Sequence, residues 1–123
     1  KKLFSIAALT LFLYACNSAD DKTAGAGKKT GSAMDNPDYE AGLNLVAQSD
    51  CFTCHKLREP LTGPPYGEIA KKYPATPENI SMLADKILKG STGVWGQIPM
   101  IAHPDIKKED AEKMVKYILL LKE

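Results

Sequence analysis

Cys51-Phe52-Thr53-Cys54-His55 is the stretch on which the reading of this chain turns. Two intervening residues let one helical turn present both thiols to the same edge of a planar group, and His55 follows directly. Each other use of such a pair meets an obstacle. A redox dithiol has no need of the adjacent imidazole and normally sits in a βαβ setting, which the flanking sequence does not offer. A structural zinc site wants four ligands, and the chain holds only His103 in reserve. A disulfide across two residues would be strained. The pattern C-x-x-C-H is the attachment pattern of c-type haem, with both sulfurs as thioethers and the histidine as an axial ligand to the iron.

Working outward from this segment, the helical periods come next. Asn36-Pro37 reads as a cap followed by proline at the first helical position, and Leu43, Val46 and Ala47 continue at helical spacing, predicting a helix over 37–49. Gly42 within it suggests close packing against another element. Tyr66 to Tyr73 predicts a short helix ended before Pro74. Thr76-Pro77 opens a third, with Ile80, Leu83, Ala84, Ile87 and Leu88 on one face and Gly90 as its stop. Lys108 to Leu121 carries a last stripe of Ala111, Met114, Val115, Ile118 and Leu119. Strand alternation and internal repeats are absent from the sequence. The expectation is an all-α domain over residues 37–123, about four short helices with loops at 50–65 and 91–106. Its own core is thin, so a cofactor seated in the loops would complete it.

A second axial ligand has to come from downstream, and the candidates are Met82, Met100, Met114 and His103. Met82 and Met114 belong to amphipathic helices. Met100 ends Gly93-Val94-Trp95-Gly96-Gln97-Ile98-Pro99-Met100, a loop stiffened by proline and freed by glycine, which can deliver a thioether to iron. His103 is the rival ligand.

The region 37–123 resembles a class I cytochrome c of the short bacterial type. The resemblance rests on Cys51–His55 followed by Thr62-Gly63-Pro64-Pro65-Tyr66, on Trp95-Gly96-x-x-Pro99-Met100, and on a terminal helix bearing Tyr117. It implies one covalent haem c, with His55 and Met100 on the iron. The Pro64 carbonyl would accept a hydrogen bond from the His55 ring and fix its tautomer. Trp95 would reach a haem propionate, and Gly42 would let the first helix cross the last at Tyr117. The chain departs from the pattern at Gln97, where proline is frequent, and at His103, where a polar side chain often bonds the methionine sulfur. The implied function is one-electron transfer rather than catalysis, because both axial positions are filled. By the same resemblance the partners are a quinol-oxidising complex upstream and a terminal oxidase or reductase downstream. Lys56, Arg58, Lys71, Lys72, Lys86 and Lys89 are candidates for steering an acidic partner to the haem edge. The alternatives are a peroxidase or gas sensor, should Met100 be displaceable, and a fixed subunit of a respiratory complex.

The N-terminal part reads differently. Lys1-Lys2 followed by the nearly continuous apolar run Leu3–Ala15 reads as an export signal over 1–15. Leu13-Tyr14-Ala15-Cys16 resembles a bacterial lipobox, which makes Cys16 the expected lipidation site. Residues 17–36 carry Met34 as their sole large apolar side chain, so 16–36 is expected to be a flexible tether of about 25 Å typical reach. The expected location is the periplasmic side of a bacterial membrane, reached by export and held by the lipid. Removing residues 1–15 removes two lysines and no acid, which takes the formal charge from +1 to −1. Nucleic-acid binding is excluded at such a balance, and a monomer is expected. The 123-residue length leaves no room for a second sizeable fold.

Overall fold

The computed structural model describes residues 32–122. The expected signal over 1–15, Cys16 and the tether up to residue 31 lie outside the described residues. Four α-helices follow one another: α1 (Pro37–Gln48), α2 (Tyr66–Lys72), α3 (Pro77–Lys89) and α4 (Lys108–Leu120). Among the described residues there is no strand, and Ser91 and Met100 form a single isolated antiparallel bridge. No helix among them is long and apolar enough to cross a membrane.

The helix starts are chemically explicit. The Asn36 side chain accepts the Asp38 N–H at 2.9 Å with Pro37 at the first position, and Thr76 Oγ1 accepts the Asn79 N–H at 3.3 Å with Pro77 following. Gly90 takes φ +76° as it ends α3. The helices run within a residue or two of their expected bounds. Ala47, counted in the apolar stripe of α1, is exposed. Ordered structure also begins earlier than the expected domain boundary. A 3₁₀ turn over Ala33–Asp35 sits within the last residues assigned to the tether and rests on α1, with the Ser32 hydroxyl accepting the Met34 N–H.

α4 is the centre of the molecule, packing most heavily on α1, then on α3 and α2. Its inner face buries Ala111, Met114, Val115, Tyr117, Ile118 and Leu119 against Val46, Tyr66, Leu83, Ala84 and Ile87. The α1/α4 crossing is backbone-close at Gly42, where any Cβ would collide with the Tyr117 Cβ and the Lys113 carbonyl. Tyr39 meets Tyr117 edge-on at 5.1 Å between ring centroids, closing that crossing. The two long connections, 49–65 and 90–107, lie together on the side of this core where α4 turns Met114, Val115 and Ile118 towards a cavity.

Candidate functional site

The cavity has a volume of about 350 Å³. Its floor is core: Val46, Leu83, Ile87, Met114, Val115 and Ile118. One wall is the segment Asp50–His55 with Thr62–Pro64. The other is the loop from Ser91 to His103. Cys51, Cys54, His55, Pro64, Trp95 and Met100, all singled out from sequence, line this one space. Met82 does not line it. Met114 does, but as a fully buried member of the core, in keeping with its place in an amphipathic helix.

The segment after α1 folds locally for clear reasons. Cys51–Thr53 is a 3₁₀ turn, closed by the Cys54 and His55 N–H groups donating to the Cys51 carbonyl at 3.2 and 3.0 Å. Both cysteines are half-buried and unbridged. Burial, with the neighbouring Asp50 charge second, pushes the Cys51 thiol up.

His55 is buried and held from several sides. Its Nδ1–H donates to the Pro64 carbonyl at 2.7 Å; a carbonyl can only accept, so the proton is on Nδ1 and Nε2 keeps its lone pair. The Tyr66 ring stacks on the imidazole, with centroids 5.3 Å apart and planes 17° from parallel. On another side Gly63 approaches so closely that a Cβ there would stand 2.6 Å from His55 Cε1. The Gly63 N–H donates to the Cys54 carbonyl at 2.8 Å, folding 62–65 back over the cysteine turn. The result is an imidazole of fixed orientation and tautomer, able to offer Nε2 to a metal.

The opposite wall is more open. Ser91 and Met100 exchange backbone hydrogen bonds at 3.2 and 2.8 Å, pinning both ends of the loop. Between them Gly93 and Gly96 take φ of +87° and +116°, and residues 92–99 are exposed. Trp95 is 45 % exposed, with the Lys72 ammonium 5.2 Å from its ring centroid. His103 donates its backbone N–H to the Ile87 carbonyl at 3.0 Å and its ring reaches Asp50.

The donor set decides what the cavity can hold. Among the described residues no group of three or more His, Cys, Asp or Glu side chains is arranged to hold a metal ion. One imidazole and one thioether on facing walls, two free thiols on one edge and an apolar floor suit a flat, largely apolar iron porphyrin. The residues present therefore fit a haem. The sequence did not disclose the roles of Gly63 and Tyr66 around His55, although both stand in a quoted motif. It gave no sign of Asp50, whose partner is 53 positions away.

Comparison with known proteins points the same way. The family model described as "Cytochrome c" matches residues 39–122. Cytochrome c-552 of Nitrosomonas europaea is 37 % identical over 102 residues, covering 82 % of this chain and 99 % of that protein. Cytochrome c-552 of Hydrogenobacter thermophilus is 37 % identical over 82 residues, covering 67 % of this chain and 83 % of its own length. The crystal structure of the wild-type Nitrosomonas europaea protein superposes with a TM-score of 0.61 at 38 % identity, covering 65 % of this chain and 99 % of that one.

Proposed function

This chain belongs to the cytochrome c family, and from that premise we propose that it carries single electrons through a haem bound by Cys51, Cys54, His55 and Met100. It is a class I monohaem c-type cytochrome, an electron carrier rather than an enzyme, and its family binds one covalent haem c. The group, when bound, supplies a ferric/ferrous couple. Everything else belongs to the chain. Cys51 and Cys54 attach the porphyrin edge as thioethers. His55, its Nδ1–H committed to Pro64, would hold the iron through Nε2, and Met100 would hold it through its sulfur. Trp95, which lines the cavity and is partly exposed, would reach a propionate.

The observation that carries this reading is the Pro64–His55 bond at 2.7 Å beside two unbridged cysteines, in a cavity whose far wall holds Met100. An imidazole fixed in that tautomer is a ligand in waiting. Two protein ligands on one iron leave no coordination position for a substrate, which favours carriage of electrons over peroxidase chemistry or gas sensing.

Haem should remain on the chain through acid–acetone extraction and a denaturing gel, and should be extracted from the Cys51→Ser/Cys54→Ser double variant. The native protein should titrate as one reversible one-electron couple. Haem extractable from the unsubstituted protein would contradict the attachment.

Export, lipidation at Cys16 and docking to a quinol-oxidising complex and a terminal oxidase or reductase complete the proposal. They are supported by the composition of residues 1–36 and by the family, respectively. Cys16→Ser should move the cytochrome from the membrane fraction to the soluble one. Membrane association unchanged by that substitution would remove the anchor from the account.

A further inference from the structure

The hydrogen bond between His103 and Asp50 joins the two walls of the cavity. Asp50 immediately precedes Cys51, and His103 follows Met100 by three residues, so the bond spans 53 positions of sequence. A carboxylate only accepts, so His103 donates from Nε2–H to Asp50 Oδ1, at 3.3 Å. The His103 side chain is only 18 % exposed while that of Asp50 is 67 % exposed. The carboxylate therefore keeps most of its hydration while it holds a largely buried ring. The other ring nitrogen, Nδ1, is buried without a partner, and His103 lines the cavity.

Among the described residues no backbone hydrogen bond joins the loop from Ser91 to His103 to the Cys51 segment. Its backbone bonds, Ser91 with Met100 and His103 with Ile87, tie it to the α3 side. Gly93 and Gly96 are in the left-handed region, and a Cβ on either would touch nothing within 4 Å. The conformational freedom of the loop therefore lies in its exposed tip, 92–99, while Met100 and His103 stand at its base, tied by backbone to the α3 side and joined to the Cys51 segment through Asp50.

We infer that Asp50 and His103 form a clasp that keeps the Met100 loop closed on the Cys51–His55 segment and slows replacement of Met100 by an outside ligand. The inference rests on the Met100 ligation proposed above. Both residues act as positioning residues: neither is assigned to the iron, and their effect passes through where the loop sits.

The experiment uses the ferric haem-loaded protein and imidazole as the competing ligand. At saturating imidazole the limiting binding rate reads the release of Met100. Asp50→Ala and His103→Ala should each raise that rate about threefold to fivefold, the size expected of one partly exposed hydrogen bond. The double variant should be no faster than the faster single variant, because both substitutions remove the same bond. Asp50→Asn keeps an oxygen acceptor and should stay close to the unsubstituted rate. Asp50 is a surface residue, so Asp50→Ala reports even where His103→Ala disturbs packing.

An unchanged rate in Asp50→Ala overturns the clasp, as does a double variant whose effect is the product of the single ones. The sulfur-to-iron absorption band of the unsubstituted ferric protein separates the two levels. Its absence would take down the Met100 ligation and the clasp together. Its presence with an unchanged Asp50→Ala rate would take down the clasp alone.

Discussion

Gly63 shows how little freedom the proximal side of the site has. Its missing side chain is the space in which the His55 ring stands, with three ring atoms between 2.6 and 3.0 Å of any added Cβ. Gly63→Ala must therefore push the imidazole off the line set by Pro64 and Tyr66. The expected cost is about 1–3 kcal/mol of holoprotein stability, read as a lowered Tm, with a shifted midpoint potential. A Tm and potential equal to those of the unsubstituted protein would show that the ring has room to move. Tyr66→Phe is the milder companion. It keeps the stack and removes a hydroxyl whose ionisation burial pushes well above the usual tyrosine range. At this scale the C-x-x-C-H spacing singled out Cys51, Cys54 and His55, the character of its loop singled out Met100, and Pro64 entered only through the resemblance to a known family. The sequence did not disclose what depends on approach in space. Nothing local distinguishes Gly63 from a turn glycine, Tyr66 from a core aromatic, or Asp50 from any exposed acid.

Among the elements, α4 organises the rest, and its two main contacts are testable separately. At the α1 crossing, Gly42→Ala sets a methyl against the Tyr117 Cβ and the Lys113 carbonyl, which are parts of a helix and cannot yield. Destabilisation of about 2 kcal/mol or more is expected in denaturant unfolding; a value under about 0.5 kcal/mol would mean the helices part without cost. At the α3 contact, Lys108 donates to Asp85 Oδ1 at 2.5 Å and to the Ser81 carbonyl at 2.7 Å, while Lys89 of α3 donates to Asp85 Oδ2 at 3.0 Å. These two lysines hold the Asp85 carboxyl below its ordinary value of 3.8. A depressed folded-state value means the contribution is complete above the ordinary carboxylate range and is lost as pH falls through the lower folded one. Asp85→Asn should therefore lower stability at neutral pH and flatten its fall on acidification, as followed by Tm against pH. An acid limb of unchanged slope would contradict the assignment. The helices themselves were legible because their starts are written in capping chemistry at Asn36 and Thr76 and their faces in periodicity. The 3₁₀ turn at Ala33–Asp35 was not, because its composition is that of a tether and only the Ser32 hydroxyl bond marks it.

For the whole molecule, the cavity is continuous with the core. The residues that floor the cavity of about 350 Å³ are the same ones that pack α1, α3 and α4 together, so a group seated there would cover the core. Haem-free protein, such as the double serine variant after its haem has been extracted, should lack a cooperative thermal transition. A sharp one near that of the holoprotein would show a self-sufficient helical core. The surface charges suggest modest steering. Lys56, Lys71 and Lys89 each pair with a carboxylate of their own helix or turn, Glu59, Glu68 and Asp85. The reduction rate by a small anionic reagent should change little between low and physiological salt. A steep fall would mean that a cationic face governs approach. The central claim is an iron closed by His55 on one side and Met100 on the other. Its most direct test is the absorption spectrum of the holoprotein, ferric and ferrous, with and without carbon monoxide. The account predicts a weak long-wavelength sulfur-to-iron band in the ferric form, lost in Met100→Ala, and a ferrous spectrum unchanged by carbon monoxide. A high-spin ferric spectrum, or rapid carbon monoxide binding by the unsubstituted protein, would contradict it and turn the reading towards catalysis or gas sensing.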